Sequence, residues 1–406
     1  MIIYSPNYFN KQNAKLLSLD ININGIFIAI SFDTGIIEIW EMDPIKKIMK
    51  HPKKSNQEKN NEKNKEKKKE KNLSLMKHSG SVQCVRFSPK TGRYLASSSE
   101  DGEIRIWSTN SELIKEKWTI RSTFQRKNDV WSISWSPDEN RFVVCGMDPN
   151  ILVCNPFTEK ENEREIILQG HETIVNTVLW DPKGSFILSQ DLSCVRVWET
   201  KNFSCINIIS SIFEPSLERT FSNRISASKD GKFFAITNCV VNKRFTSLVF
   251  PRSTITKKKK RGVIEDADIF YGHKAMVDQA IFNPVMFQKK KNAIRSTVSC
   301  IALASIDSTI TFWMHSHQNH RPRAIIKQAF NQKITDMCWC PSSGNLFAAC
   351  STDGTVLFFK IQKEDLGDFT KIKNQKKREK QNQNNQNKKS LKKSKKNTKS
   401  KTNQNN

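Results

Sequence analysis

The sequence lacks the features that would assign it to a membrane, secreted or small-domain class. No apolar run approaches the roughly 18 residues needed to cross a bilayer. The first residues, MIIYSPNYFNKQN, contain no basic region followed by an apolar stretch, so we expect no secretory signal. A chain of 406 residues is too long for one small core. Its 9 tryptophans and 24 phenylalanines exclude uniform disorder.

The motifs that usually mark catalysis or cofactor binding are also missing. The sequence contains no G-x-x-x-x-G-K-[ST], G-x-G-x-x-G, H-E-x-x-H or G-x-S-x-G. None of the 10 cysteines forms a C-x-x-C pair or has zinc-finger spacing with a histidine. We therefore predict a binding scaffold rather than an enzyme, with no catalytic, cofactor-binding or metal site. The cysteines, which lie mostly in apolar runs, are expected to be buried thiols in a reducing compartment.

Acidic residues are scarce in a few segments, and these segments carry the net charge of +27. The excess is +9 in 45–77, +6 in 251–261, +4 in 289–295 and +11 in 361–406, which leaves the remainder close to neutral. Such like-charge runs stay solvated, so they predict disordered loops and a disordered tail. Two interpretations remain open. The runs are compositional filler, or they mediate nuclear import or nucleic-acid contact, with candidate residues in the tail at Lys392, Lys393, Lys395 and Lys396.

An internal repeat organises the rest of the chain. Each copy has three short apolar-alternating runs, with one turn after the first run and an Asp-containing turn after the second, which predicts three strands. A fourth strand is expected from the segment before the next copy, as at 117–122 and 203–210. The copies occupy residues 17–40, 78–107, 128–154, 170–198, 224–250, 272–313 and 334–359.

Four strands per unit, a Gly-His start, a Trp end and a period of about 45 residues resemble WD-repeat propeller blades. The predicted fold is therefore all-β: a seven-bladed WD-repeat β-propeller over 1–360 and a disordered basic Lys/Asn/Gln-rich tail over 361–406. Lys-rich insertions are expected at 45–77, 251–261 and 287–297. Residues 1–15 are expected to supply the outer strand of the last blade and so close the ring.

In the blades that these copies resemble, a histidine, a Ser or Thr hydroxyl, a turn aspartate and the Trp indole satisfy one another's hydrogen bonds. We interpret the set as structural rather than catalytic, because it recurs in several blades. Partner-binding candidates are the strand-start residues Trp131 and Asp278, on the condition that they are exposed at the ring entrance. The alternatives are that Trp131 is core and Asp278 a turn or strand-edge residue. The resemblance implies a blade network of His78, Asp101, Trp107, His171, Trp198, His273, Asp307, Trp313 and Asp353.

Three features resemble the HIR/HIRA family of histone chaperone subunits. Blade six contains Phe-Asn-Pro-x-x-Phe followed by lysines (282–291), the final blade ends on Phe-Phe, and blade four reads WDPKGSFILSQDLSCVRVW. The start of the chain, EIWEMDP followed by a charged loop and HSGSVQCVRFSPKTGRYLAS, also fits that family. The resemblance spans about 16–360.

The resemblance implies a non-enzymatic scaffold in a nuclear complex that assembles nucleosomes outside replication and regulates or silences transcription. The implied partners are core histones and other chromatin-assembly subunits, with non-specific DNA contact through the basic segments and no membrane contact. Longer family members continue into further regions, so a short form is expected here. The alternatives are the propeller subunit of the replication-coupled chromatin assembly factor and an RNA-processing scaffold.

Overall fold

The computed structural model describes residues 1–6, 14–50, 74–109, 118–210, 212, 223–256, 266–289, 297–315, 321–362, 365 and 369–371. Within these ranges the chain forms seven antiparallel sheets arranged as the blades of a propeller, with three short helices. This confirms the predicted fold class. No helix of the described residues has the length and apolarity to cross a membrane.

The first four blades each use four consecutive strands, as the repeat predicts. The segments expected to supply fourth strands do so in blades two and four. The strands of blade one are β2 (Leu16–Ile21), β3 (Phe27–Phe32), β4 (Ile36–Glu41) and β5 (Ser74–Lys77), and those of blade two are β6 (Val82–Phe87), β7 (Tyr94–Ser99), β8 (Glu103–Ser108) and β9 (Thr119–Gln125). Blade three contains β10 (Val130–Trp135), β11 (Phe142–Gly146), β12 (Asp148–Cys154) and β13 (Glu165–Leu168), and blade four β14 (Val175–Trp180), β15 (Phe186–Asp191), β16 (Val195–Glu199) and β17 (Cys205–Ile209).

Blade five keeps this order, whereas blades six and seven depart from it. Blade six is extended by β23 (Phe287–Lys289) and β30 (Phe369–Lys371), which pair with each other. Blade five contains β18 (Ser226–Ala227), β19 (Phe233–Val241), β20 (Arg244–Pro251) and β21 (Asp268–Tyr271), and blade six β22 (Val277–Phe282), β24 (Thr297–Ser305), β25 (Ile310–His315) and β26 (Ala324–Ile326). Blade seven combines β27 (Ile334–Trp339), β28 (Leu346–Ser351) and β29 (Val356–Lys360) with β1 (Ile2–Tyr4) from the start of the chain.

Strand β1 closes the ring by pairing antiparallel with β29, with Ile3 opposite Phe359. The N-terminal ammonium group lies 3.0 Å from the Asp365 carboxylate, which ties both ends of the propeller together. Joining the first strand to the last blade leaves no gap in the ring, and sheet edges that would otherwise seek a partner are paired.

The hydrophobic core lies between neighbouring blades. The β27 residue Trp339 packs against Phe312 of blade six and Phe347 of its own blade, with ring centroids 5.7 and 4.8 Å apart. The second strand of blade seven, β28, is buried along its whole length. Sheets that are covered on both faces need apolar residues at successive positions, which explains why these strands read as continuous apolar runs.

Four segments predicted as loop or tail contain regular structure, which corrects their boundaries. Residues 45–77 contain most of helix α1 (Asp43–Lys50) at one end and β5 at the other; Ile45 and Met49 of α1 are buried. The charged composition concealed this, because two apolar residues four apart suffice to anchor a short helix. The middle of that segment lies outside the described residues. Helix α2 (Glu161–Arg164) is a single surface turn.

The other three corrections concern 251–261, 287–297 and 361–406. The first contains helix α3 (Arg252–Thr256), in which Thr254 and Ile255 are buried. The second begins with β23, in which Phe287 is fully buried. The partner of β23 is β30, so residues 369–371 of the expected tail form a strand. Residues 372–406 lie outside the described residues.

Candidate protein-interaction surface

Blade two brings its predicted network together around a serine of β7. Ser97 Oγ accepts a hydrogen bond from Trp107 Nε1 at 2.8 Å and lies 2.7 Å from His78 Nε2. The other ring nitrogen of His78 lies 3.4 Å from the Asp101 carboxylate. Burial lowers the pKa of His78. Burial alone would raise the pKa of Asp101, but the Glu103 N–H and the Ser79 hydroxyl and N–H outweigh it and lower the pKa to about 2.

Blade four forms the same network with an aspartate that the spacing did not select. His171 lies 2.7 Å from Asp191 through Nδ1 and 2.6 Å from Ser189 through Nε2. Trp198 donates to the same serine at 2.8 Å. Asp191 lies seven residues before Trp198, whereas Asp101 lies six residues before Trp107. The sequence signal for this residue was therefore an aspartate one position before the expected one.

Blade six builds its network from a different strand. His273 Nε2 lies 2.9 Å from Thr311 Oγ1, and Trp313 Nε1 donates to that hydroxyl at 2.8 Å. Asp307 accepts the backbone N–H of Lys274 at 2.9 Å, and its carboxylate lies 3.8 Å from His273 Nδ1. The hydroxyl of blade six thus comes from the third strand, whereas blades two and four use the second.

In blade seven the predicted aspartate lies at the corresponding turn, but no histidine contacts it among the described residues. Asp353 accepts the N–H groups of Asn331 at 2.8 Å and Thr355 at 3.0 Å. These contacts hold the turn between β28 and β29 against the segment that enters the blade. The four blade networks share one physical role in the structure, which is to fix turns at one face of the ring.

A buried ionic cluster links blades across the ring and was not found from the sequence. Asp336 of blade seven lies 2.7 Å from Arg86 of blade two and 2.7 Å from Arg224, which precedes blade five. Ser18 of blade one donates to the same carboxylate at 2.6 Å. Each residue occurs in a single copy, so the repeat gave no signal for it. Four blades are thereby connected through one carboxylate.

Electrostatics in this cluster favours the charged carboxylate. Burial alone would raise the pKa of Asp336, but Arg86 and Arg224 outweigh it and lower the pKa to about 2. Neighbouring Asp20 accepts the N–H of Phe87 at 2.8 Å, and burial raises its pKa. The two guanidinium groups therefore hold Asp336 in its charged form.

The two partner-binding candidates have different environments. Both occupy bulges at the start of inner strands, where the pairing register shifts. Trp131 is half-buried. Asp278 is fully buried, and the Lys333 ammonium group lies 2.9 Å from its carboxylate. Asp278 therefore does not meet the condition of exposure at the ring entrance. The tail lysines Lys392, Lys393, Lys395 and Lys396 lie outside the described residues.

Adjacent blades are also fastened to each other at the opposite face. Arg252 forms two hydrogen bonds of 2.7 Å to the buried carboxylate of Asp181. Glu139 of blade three accepts the N–H groups of Lys90 and Thr91 of blade two. Asp181 belongs to the single Trp-Asp dipeptide of the sequence, which stands outside the signature position. The ring is thus rigid, and rigid rings present their loops as a fixed surface.

Two side-chain groups of the described residues bring three possible metal ligands within 4.8 Å of one another: His171 with Asp191 and Cys194, and His78 with Asp101 and Glu103. Both ring nitrogens of His171 already face hydrogen-bond partners, and Asp191 accepts the Cys194 N–H at 2.6 Å. Burial raises the pKa of the Cys194 thiol to about 11. These groups serve the blade networks.

Comparison with known proteins gives two matching family models. The model described as "WD domain, G-beta repeat" matches residues 69–108 and 323–360, which contain the first three strands of blades two and seven. The model described as "Eukaryotic translation initiation factor eIF2A" matches residues 96–218.

Curated relatives match nearly the whole chain. Protein hir1 of Schizosaccharomyces pombe is 31% identical over 87% of this chain and 36% of its own length. Protein HIR1 of Cryptococcus neoformans is 28% identical over 91% of this chain and 41% of its own length. Protein HIR1 of Candida albicans is 28% identical over 91% of this chain and 43% of its own length. The chain therefore spans about two fifths of the length of these relatives.

Proposed function

Because the chain belongs to the HIR family of WD-repeat proteins, we propose that it is the propeller scaffold of a HIRA-like histone chaperone complex. In this role it works in the nucleus, without enzymatic activity, in replication-independent nucleosome assembly and in transcriptional regulation or silencing. Its partners are core histones and other chromatin-assembly subunits.

One observation carries this proposal: HIR1 proteins align with about 90% of a chain that folds as one closed ring. A match of this extent is far longer than any single blade, so the relatives match most of the ring. A rigid ring suits the simultaneous display of loops to several partners. The WD-repeat and HIR1 matches are typical of scaffold proteins and name no enzyme family.

Affinity purification of the full-length tagged chain from its own cells, followed by mass spectrometry, tests the proposal. Core histones or another nucleosome-assembly chaperone should be enriched over an unrelated tagged propeller. Enrichment of ribosomal or cytoskeletal proteins alone would contradict it. The match to the eIF2A model favours a translation-related or RNA-processing scaffold as second candidate, and the same experiment would then recover ribosomal proteins or RNA-binding factors.

The basic segments add an electrostatic contact with DNA in this proposal. Neutralised phosphates release counterions, so DNA affinity should fall steeply with salt. Truncation after Lys371 removes the basic tail while keeping β30 paired with β23 and Asp365 beside the N-terminus. This truncation should lower both DNA affinity and the slope of its salt dependence. A variant with Lys392, Lys393, Lys395 and Lys396 changed to arginine, which keeps the charge, is the matched control. Unchanged DNA binding after truncation would assign the tail no role in it.

A further inference from the structure

In blades two and four an arginine covers the network tryptophan. Ser97 on the second strand stands opposite Arg105 on the third, and Ser189 stands opposite Arg196 in the same way. The guanidinium carbon of Arg105 lies 6.0 Å from the ring centroid of Trp107. Its Nη1 donates to the backbone carbonyl of Lys77. The serine supplies the network hydroxyl, and the arginine opposite it fills the space beside the indole.

The glycines that precede the network histidines of blades four and six show how much of this space is filled. A Cβ atom at Gly170 of blade four would lie 3.1 Å from Arg196 Nη1 and 3.2 Å from the Trp198 ring. The corresponding glycine of blade six is Gly272. A Cβ atom there would have no atom within 4 Å. The space that is filled in blade four is therefore open in blade six.

An exchange of residue types explains the opening. In blade six the facing pair is Leu303 and Thr311 instead of serine and arginine. Thr311 now holds His273 and Trp313, so its position is no longer available for a long side chain that covers the indole. The network hydroxyl of blade six thus lies on the third strand instead of the second, and no arginine side chain stands opposite it to cover the indole.

The result is a cleft of about 540 Å³. Trp313 lies at its base, with Phe330 and the half-exposed Ile325 as apolar walls. Ile325 belongs to β26, which is the edge strand at this end of its sheet among the described residues. An apolar cleft beside a free strand edge suits an extended peptide that adds alongside the strand.

Charge selects among possible occupants. Lys274 and Lys327 line the cleft, and both are exposed. The one acidic side chain among the described lining residues is Asp307, which accepts the N–H groups of Lys274 and Thr309. The open charges at the cleft are therefore positive. They disfavour a partner arginine, although an arginine fills the equivalent space in blades two and four.

We propose that this cleft of blade six, beside the last strand of blade five, binds an acidic segment of a partner protein. The segment inserts one aliphatic or aromatic side chain against Trp313 and Ile325 and places carboxylates at Lys274 and Lys327. Core histones are basic, so the occupant is a different chain from the histones of the proposed function, and this site does not depend on them.

The probe is a fluorescein-labelled dodecapeptide, Gly-Ser-Asp-Glu-Asp-Leu-Phe-Asp-Glu-Asp-Ser-Gly, titrated with the full-length chain in a fluorescence anisotropy assay. The wild-type chain should bind it saturably. A peptide with serine in place of Leu and Phe should bind at least about tenfold more weakly, as should a peptide with lysine in place of every acid. Saturation by the lysine peptide in preference to the acidic one would overturn the proposal, as would no binding of the acidic peptide.

Two sets of variants locate the site. The double variant Leu303→Ser/Thr311→Arg restores the serine and arginine of blades two and four, and it should raise the Kd of the acidic peptide at least about tenfold by filling the cleft. The double variant Lys274→Glu/Lys327→Glu should have the same effect and changes exposed residues only, so it keeps the test valid if the first variant fails to fold. Lys201→Glu/Lys229→Glu, at exposed positions outside the cleft, is the matched control and should leave the Kd unchanged. Equal Kd values for all three double variants would refute the site.

Discussion

Replacing Asp336 with asparagine should destabilise the whole ring, because this carboxylate joins four blades. The side chain is 3% exposed and lies 2.7 Å from each of Arg86 and Arg224. Asparagine keeps the size and one acceptor oxygen, so the substitution removes charge with little change in packing. The two guanidinium groups, which are 16% and 18% exposed, would lose their anionic partner.

Two considerations give the magnitude. Lowering the pKa of Asp336 from 3.8 to about 2 corresponds to about 2 kcal/mol of stabilisation of the charged form. Removing one partner of a buried ion pair, which leaves the other charge uncompensated, costs about 3–5 kcal/mol. The larger figure applies to Asp336→Asn, because two arginines are left behind. We expect the free energy of unfolding to fall by about 3–5 kcal/mol.

The pH dependence has a definite sign. Because the pKa of Asp336 is lower in the folded protein, its charge stabilises the fold fully above pH 3.8. That contribution is lost as the pH falls towards about 2. The difference in stability between wild type and Asp336→Asn should therefore be largest near neutral pH and should shrink below pH 4.

Urea titrations of both proteins, followed by tryptophan fluorescence at several pH values, measure these quantities. The control is Glu163→Gln, which makes the same chemical change in an exposed pair with Lys160 and should cost at most about 1 kcal/mol. If Asp336→Asn costs no more than Glu163→Gln at pH 7, the cluster does not stabilise the ring and the reasoning is refuted.

Three further predictions follow from the other contacts. Removing residues 1–6 should lower Tm in thermal unfolding, because β29 loses its partner strand; an unchanged Tm would show that closure is dispensable. Ser97→Ala should lower the free energy of unfolding by about 1–3 kcal/mol in urea titrations, because two buried hydrogen-bonding groups lose their partner, whereas the exposed Ser193→Ala should cost less. Since burial lowers the pKa of His78, its protonation favours the unfolded state, and stability should decrease as the pH falls through about 6.5; His78→Asn should weaken that decrease.

Much of the architecture could be predicted because it is repeated. The seven copies fixed the number of blades, and the spacing between copies left room for a fourth strand in each. A histidine at the start of the copy and a tryptophan at its end recur in blades two, four and six, so the contacts of one blade could be inferred from the shared pattern. Ring closure followed from the segment that precedes the first copy, since β1 is the partner that β29 needs.

Composition was a poorer guide where a few apolar residues sit among many lysines. Ile45 and Met49 anchor α1, and Phe287 anchors β23, although the surrounding charge predicted loops. Averaging the composition over a window of residues conceals two or three apolar side chains that are buried. The burial of Asp278 was not predicted for a related reason. The side chain that covers its carboxylate is Lys333, which lies more than fifty positions away in the sequence.

The sequence by itself determined the local pattern: alternation within strands, turn residues between them and the repeat that sets seven blades. Only the tertiary structure decided which unrepeated residues meet. Ring geometry brings Arg86, Arg224 and Asp336 together from three blades, and it leaves the cleft beside Trp313 open where Thr311 replaces an arginine. Hydrogen-bond and ion-pair energies depend on distances of a few ångströms, and distances between residues far apart in the chain are set by the closed ring.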